Sequence, residues 1–339
     1  MVFDMRVLTF VFSMLFITLP AFAAETYTKL AEIPIGGAGR FDYLVIDSAA
    51  HRLYVTHGTE IVVIDTTKNA ILDRIEDTPG VHGIAIAPEL GKGFISNGGE
   101  DKVGIIDLQS LQTLSKVETG ANPDAILYIP TQKQVWVFNH TGESVTVIDA
   151  VSGKAIVTTA LSGVAEAGQA DIAIGRVFIN IEDKDSVDVV DMTTFELVDN
   201  YPVAPASSPT GMAIDQASHH LFIGGGEALV MLDTSSGDII DSAPICRGTD
   251  GTWFDAALST AFVSCADGHI TVISVSGDSL TVTDTINTAR GARTMAVDPA
   301  THRLYTAAAD YLPADPATPN ARPTAKPDTF RVLVFGTDQ

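Results

Sequence analysis

Cysteine is almost missing from this chain: 339 residues carry only Cys246 and Cys265. No Cys-x-x-Cys-His haem-attachment motif is present, and what remains is one candidate disulfide pair. Basic residues are scarce as well. Twenty Lys and Arg against 42 Asp and Glu leave a formal charge of −22. That balance excludes a broad surface for nucleic acid or anionic lipid, because either would be repelled. A local basic pocket is still allowed, and the acid excess in itself reads as a solubilising surface. Helical periodicity is lacking altogether. So are a Ser nucleophile elbow, a phosphate loop and a His-Glu-x-x-His helix.

Long apolar runs are confined to the N-terminus. Arg6 precedes the run Val7 to Leu19, and Ala21-Phe22-Ala23 satisfies the small-x-small cleavage rule. Residues 1–23 therefore read as a secretory signal cleaved after Ala23, too short to span a bilayer. No Cys follows to carry a lipid, and a single Arg gives no twin-arginine signal. The mature chain, residues 24–339, is expected to be exported, soluble and monomeric, periplasmic or else secreted.

What the chain has in abundance is repetition. Ile64-Asp65, Ile106-Asp107, Ile148-Asp149, Val190-Asp191 and Leu232-Asp233 follow one another at 42 residues, and Ile273-Ser274 comes 41 later. A period of about 40–45 residues with four short strands per unit predicts a β-propeller. An aromatic-centred strand returns seven times, at Tyr54, Phe94, Trp136, Phe178, Phe222, Phe262 and Tyr305. One large side chain per unit fills the wedge between neighbouring sheets, so seven blades are expected. The fold class is all-β, a single seven-bladed propeller of four-stranded blades with strands A to D running from the axis outwards.

Closure is legible at the two ends. Tyr27 to Ile33 reads as a strand D without a blade, and Phe330 to Phe335 as a strand C without a D. Joined, they complete the seventh blade and remove the open edges. One segment breaks the beat: residues 309–329, between strands B and C of that blade, form an insertion of about 20 residues with Pro313, Pro316, Pro319, Pro323 and Pro327. It reads as a cover over the central opening or as a surface decoration. Cys246 and Cys265 fall near the same rim, where an oxidising compartment makes them a disulfide, with two small buried thiols as the alternative.

These residues resemble a known family. Leu53-Tyr54-Val55-Thr56-His57, the Ile-Asp strand ends and the 42-residue beat are similar to the YVTN-repeat propellers, especially exported bacterial proteins of the YncE-like group. The usual Asn after Val-Thr is His57 here; Ser96-Asn97 and Phe138-Asn139 match it more closely. Over the whole mature chain the resemblance implies the propeller fold. For function it implies several things at once, since its relatives include periplasmic proteins, a member reported to bind single-stranded DNA, lactonase-type enzymes, and quinoprotein or haem d1 propellers. Function therefore has to be argued from a site.

The D–A and B–C turns gather at one face, around the mouth of the axial channel, where loops on a rigid scaffold usually bind. Candidate ligand-binding residues there are Arg40, Asp42, His57, His82, Asn97, Asn122, Asp124 and Asn139. Further candidates along the chain are Glu182, Asp250, Arg290, Arg293 and Asp310, and the same turns carry His140, Asn180, Asp183 and Thr210. Arg40, Arg290 and Arg293 open adjoining blades once the ring closes, and three guanidinium groups in one sector suit a carboxylate or phosphate. The rival is pairing with local acids such as Asp42 or Asp310. His57 and His82 beside Asp42 are the candidate catalytic or metal-binding group, with hydrogen-bonded turn histidines as the alternative. Glu182-Asp183-Lys184-Asp185 lacks the calcium-loop spacing and reads as a solvated turn. His51, His219, His220 and His302 fall in A–B turns of the opposite face and read as surface residues.

The leading expectation is an exported propeller that binds a small anionic molecule or a protein partner at this mouth without chemistry of its own. A lactonase-like or metal-assisted hydrolase, with a divalent metal, is the alternative. Single-stranded DNA binding comes third, because stacking aromatics and a basic groove are missing.

Overall fold

The repeat unit folds as its punctuation dictates. In blade one, strand A (Phe41–Asp47), strand B (Arg52–His57), strand C (Glu60–Asp65) and strand D (Ala70–Ile75) pair antiparallel in that order. The computed structural model describes residues 26–313 and 323–337. It contains seven such four-stranded sheets, and their innermost strands contact one another in a closed ring. The expected signal segment, residues 1–23, and the centre of the insertion, residues 314–322, lie outside the described residues. No helix among the described residues is long and apolar enough to cross a membrane.

The recurring aspartate at the end of strand C has a mechanical reason. Asp65 Oδ1 accepts from the backbone N–H of Thr67 and Lys68, and Asp107, Asp191 and Asp233 repeat the arrangement. Each is an Asx-turn, in which the carboxylate satisfies backbone donors that leave the ladder to enter the C–D turn. Blade six has Ser274 in that place. There the hairpin runs on instead, with strands His269–Ser276 and Ser279–Asn287 meeting at a two-residue turn.

Burial is organised between blades. Each of the seven apolar clusters draws side chains from two adjoining sheets. The strand B aromatics Tyr54, Phe94, Trp136, Phe178, Phe222, Phe262 and Tyr305 are all at 0% exposure. Covering each such ring contributes about 1.5–3 kcal/mol relative to leaving it in water. These clusters fix the blades' angles, and so the shape of the axial opening.

Closure occurs as the sequence predicts. Strand D of blade seven is Tyr27–Pro34, paired with strand C, Arg331–Thr337. Cys246 and Cys265 form a disulfide that ties the end of blade five to strand B of blade six, with Cα atoms 5.7 Å apart. On the lower face the histidines do more than sit at the surface. His219 Nδ1 lies 2.7 Å from Asp171 of the preceding blade, and His302 Nδ1 lies 2.6 Å from Asp255 in the same relation. His220 departs further: it opens strand B of blade five and is buried.

Candidate functional site

Strand A carries a local irregularity that builds the mouth. Its pairing with strand B slips between Phe41 and Leu44, Val81 and Gly83, Pro123 and Ile126, Ala165 and Gly168, Pro209 and Gly211, and Thr249 and Gly251. A β-bulge frees the skipped residue from the ladder and re-aims its side chain. The second residue of the strand falls inside every one of these bulges: Asp42, His82, Asp124, Glu166, Thr210 and Asp250. Arg293, which stands five residues before the end of its strand as they do, takes the seventh place. Behind the ring the strands converge so tightly that a Cβ on Gly211 would stand 2.9 Å from the Thr252 amide nitrogen. Only glycine lets neighbouring backbones approach that far.

The ring residues meet across blade boundaries. His82 Nδ1 lies 2.7 Å from Asp42 Oδ2 and 3.5 Å from Asp124 Oδ1. The Asn122 side chain adds a small pull in favour of the protonated form of the same imidazole. His140, the first residue of the B–C turn of blade three, places Nδ1 3.0 Å from Glu166 Oε1 and 3.3 Å from the Ala165 carbonyl. Across the opening, Arg293 Nε lies 2.9 Å from Asp250 Oδ2, and Thr210 Oγ1 donates to the Thr249 carbonyl.

Crowding sets the proton affinities. Burial, and then the charge of Asp42, hold the Asp124 carboxyl well above its ordinary value. Burial pushes Asp250 up to about 7, against the pull of Arg293. Burial opposes protonation of His82, but the hydrogen bond to Asp42 and the charge of Asp124 outweigh it and raise the imidazole to about 9. His140 is raised to about 9 mainly by its hydrogen bond to Glu166. The Tyr43 phenol is pushed far up by burial and by Asp124, Glu166, Asp250 and Asp42 together, so it stays a hydrogen-bond donor. Such shifts concentrate where polar groups are held together against their solvation.

Below the ring runs a channel of about 360 Å³ lined mainly by apolar residues of strand A, among them Leu44, Ala85, Ile126, Met212 and Met295, with Tyr43 and Asp250 also in its wall. An apolar cavity with a few convergent polar groups at its entrance is the usual form of a small-molecule site.

Several candidates from the sequence serve the turns instead. His57 Nδ1 lies 3.2 Å from Glu60, which also pairs with Arg74, and its ring stacks on Phe330 at 4.3 Å. In blade two Asn97 donates to Glu100, which pairs with Lys116. The two triads are equivalent, so His57 does the work of the motif asparagine and takes no part in the His82–Asp42 group. Burial prevails there and lowers its pKa, whereas the carboxylates around His82 prevail and raise that of His82. Asn139 donates to Ser144 and Thr146, and Asn180 to the Gly211 carbonyl. Asp183 accepts from the Val164 amide, and Asp310 pairs with Arg331 at 3.0 Å. Glu182 opens a single 3-10 turn, near enough for its charge to act on Asp250.

The arginines divide. Arg293 faces Asp250, whereas Arg40 and Arg290 are exposed on the rim and form no ion pair among the described residues. The stems of the insertion approach this sector. Tyr311 bridges Ala325 and lies over Gly291, where Arg293 and Arg290 act on a phenol that burial pushes up. Asp328 exchanges hydrogen bonds with the backbone of Gly37. Glu166 escaped the sequence reading, although counting five residues back from Asp171, as from Asp47 to Asp42, finds it. The bulge that gives this count its meaning leaves no composition signal.

No protein-family model matches this sequence, and no curated protein matches it either. Among solved structures, a chain of the mitotic checkpoint complex is similar at a TM-score of 0.76 with 13% identity, covering 99% of this chain and 100% of that one. A chain of hydrazine synthase from Kuenenia stuttgartiensis is similar at 0.69 with 12% identity, covering 90% of this chain and 99% of the other. At such identities the likeness is one of fold, and the fold is a seven-bladed β-propeller.

Proposed function

We propose that this protein is an exported β-propeller that binds a small anionic or zwitterionic molecule at the upper mouth of its axial channel, with a protein partner as the alternative occupant. One observation carries the reading. Seven positions of identical register hold Asp, His, Asp, Glu, Thr, Asp and Arg around a single opening. A purely structural repeat needs no such variety, and burying carboxyl groups costs free energy that the fold does not require. The mouth is polarised. Asp42, His82, Asp124, His140 and Glu166 form one arc over blades one to four, and Arg293, Arg290 and Arg40 fill the sector beside its Asp42 end, where the Thr294 hydroxyl donates to the Asp42 carbonyl. An anionic group suits the exposed arginines, and hydrogen-bond donors on the same molecule suit the arc.

Export is part of this reading, to the periplasm or the medium. The apolar N-terminal run supports it, as does the Cys246–Cys265 disulfide, since such bonds persist in oxidising compartments. Membership of the YVTN-repeat group belongs here too, supported by the 42-residue beat and by the shared role of His57 and Asn97. The hydrolase alternative loses one of its three residues once His57 is committed to Glu60.

Thermal-shift screening of small carboxylates, phosphorylated compounds and amino acids tests the reading, in EDTA. Ligand at about 100 times its Kd stabilises a protein by roughly 2.7 kcal/mol. A compound that raises the Tm of wild type and not of Arg290→Ala supports it. A screen in which nothing stabilises wild type rejects the small-molecule version.

A further inference from the structure

We propose that the arc Asp42, His82, Asp124, His140 and Glu166 binds divalent transition-metal ions, with Asp124 as the ligand common to two three-residue sets. The inference deepens the mouth-binding reading and rests on the same ring. One ligand atom each from Asp42, His82 and Asp124 lie within 4.8 Å of one another, and so do those of Asp124, His140 and Glu166. Around an ion with bonds of about 2.0–2.2 Å, donor atoms stand roughly 3–4 Å apart. The side chains therefore need only a small rearrangement, with His82 and Asp42 parting slightly from their 2.7 Å contact.

Asp124 supplies the independent sign that something is to be bound. It is 7% exposed, and its Oδ1 accepts no hydrogen bond. A buried carboxylate oxygen left without a donor is costly, and neighbouring positions show that the fold can avoid it. Thr210, at the same register, is satisfied by the Thr249 carbonyl, and Asp250 is met by Arg293. His82 Nδ1 stands between the two carboxylates, at 2.7 and 3.5 Å, so an arriving ion takes the place of the imidazole proton.

The donor set selects the ion. Calcium and magnesium take oxygen ligands, whereas imidazole nitrogen mixed with carboxylate oxygen suits zinc, manganese or ferrous iron. Access is open, because the side chains of His82 and His140 are each 26% exposed at the mouth. A carboxylate shared between two sets can also bridge two ions about 3.5–4 Å apart. The third group of metal-ligand type, Cys246, Cys265 and Asp267, offers nothing comparable, because its sulfurs are joined to each other.

Titration calorimetry of chelator-stripped protein with zinc chloride, and separately with manganese chloride, tests the proposal, with bound metal counted by elemental analysis. Wild type is expected to bind one ion, or two if Asp124 bridges. Asp124→Asn, which keeps the shape and removes the shared ligand, should weaken binding roughly 100-fold, and His140→Gln roughly ten-fold. Asp73→Asn on an outer strand, a control for bulk charge, should change nothing. Circular dichroism confirms folding; should Asp124→Asn misfold, Glu166→Gln and His140→Gln carry the test. The proposal is overturned if wild type binds neither ion, if the folded arc variants bind like wild type, or if Asp73→Asn loses as much as they do. An organic ligand that binds in EDTA while metal binding fails would reject this inference alone. Metal binding without any organic ligand would do the reverse.

Discussion

Two positions of the repeat make an instructive pair. The centre of strand B holds an aromatic in every blade, always fully buried, and the position five residues before the end of strand A is Asp in three blades and His, Glu, Thr and Arg in one each. Both are set by the same 42-residue beat, and 12 residues separate them, as from Asp42 to Tyr54. The strand B position answers to one demand, a wedge of fixed volume between sheets, so its chemistry is constant. At the strand A position the bulge removes the side chain from the ladder and nothing in the packing dictates its nature. Constancy marks where the scaffold is made. Variety at equal register marks where this molecule is specialised.

Emptying a wedge should have the largest effect. Phe178→Ala is expected to cost about 3–5 kcal/mol in urea unfolding, by lost burial and the cavity left behind. If it instead abolished binding at the mouth without loss of stability, the division between scaffold and site would be wrong. Reducing Cys246–Cys265 comes next. Its 19-residue separation implies about 3 kcal/mol in the loop-entropy account, read as a lower urea midpoint.

The histidines of the arc sharpen the contrast through pH. His140 is raised from 6.5 to about 9 in the folded state. The stability it contributes is whole below pH 6.5 and is lost as pH rises through about 9, because the folded state holds the proton longer. In metal-free protein, the unfolding free energy should fall across that window by on the order of 1 kcal/mol after solvent screening, read as a falling Tm. His140→Gln should flatten its share of the slope, and an unchanged profile would show that the pair with Glu166 contributes nothing. Asp250→Asn should have the smallest effect. Raised from 3.8 to about 7, Asp250 makes stability decline as pH climbs between those values, and the amide removes that decline. At neutral pH the change in unfolding free energy should stay below about 1 kcal/mol, since the partly exposed Arg293 regains water. A loss of several kcal/mol would mean that the pair holds the fold together.

Much of the architecture was readable beforehand because a propeller repeats its reasons. The Ile-Asp endings are Asx-turns, the aromatics are wedges, and two unpaired end strands can only complete each other. Reading the site went less far. His57 drew attention as a histidine beside Asp42 in the mouth turns, yet its neighbour is Glu60, three residues on, as Asn97 has Glu100. Arg293 looked like an anion-binding group, and Asp250, 43 residues away in the chain, faces it. Glu166 looked like nothing in particular until a bulge set it beside His140.

The sequence by itself determined the blade count and the closure of the ring, since each follows from spacing along one chain; it left the two cysteines as a disulfide or as separate thiols, and the structure joins them. Only the tertiary structure decided which polar residues share the mouth. That depends on bulges, which shift a side chain by one place without altering the pattern of apolar residues, and on contacts between blades some 40 residues apart in the chain.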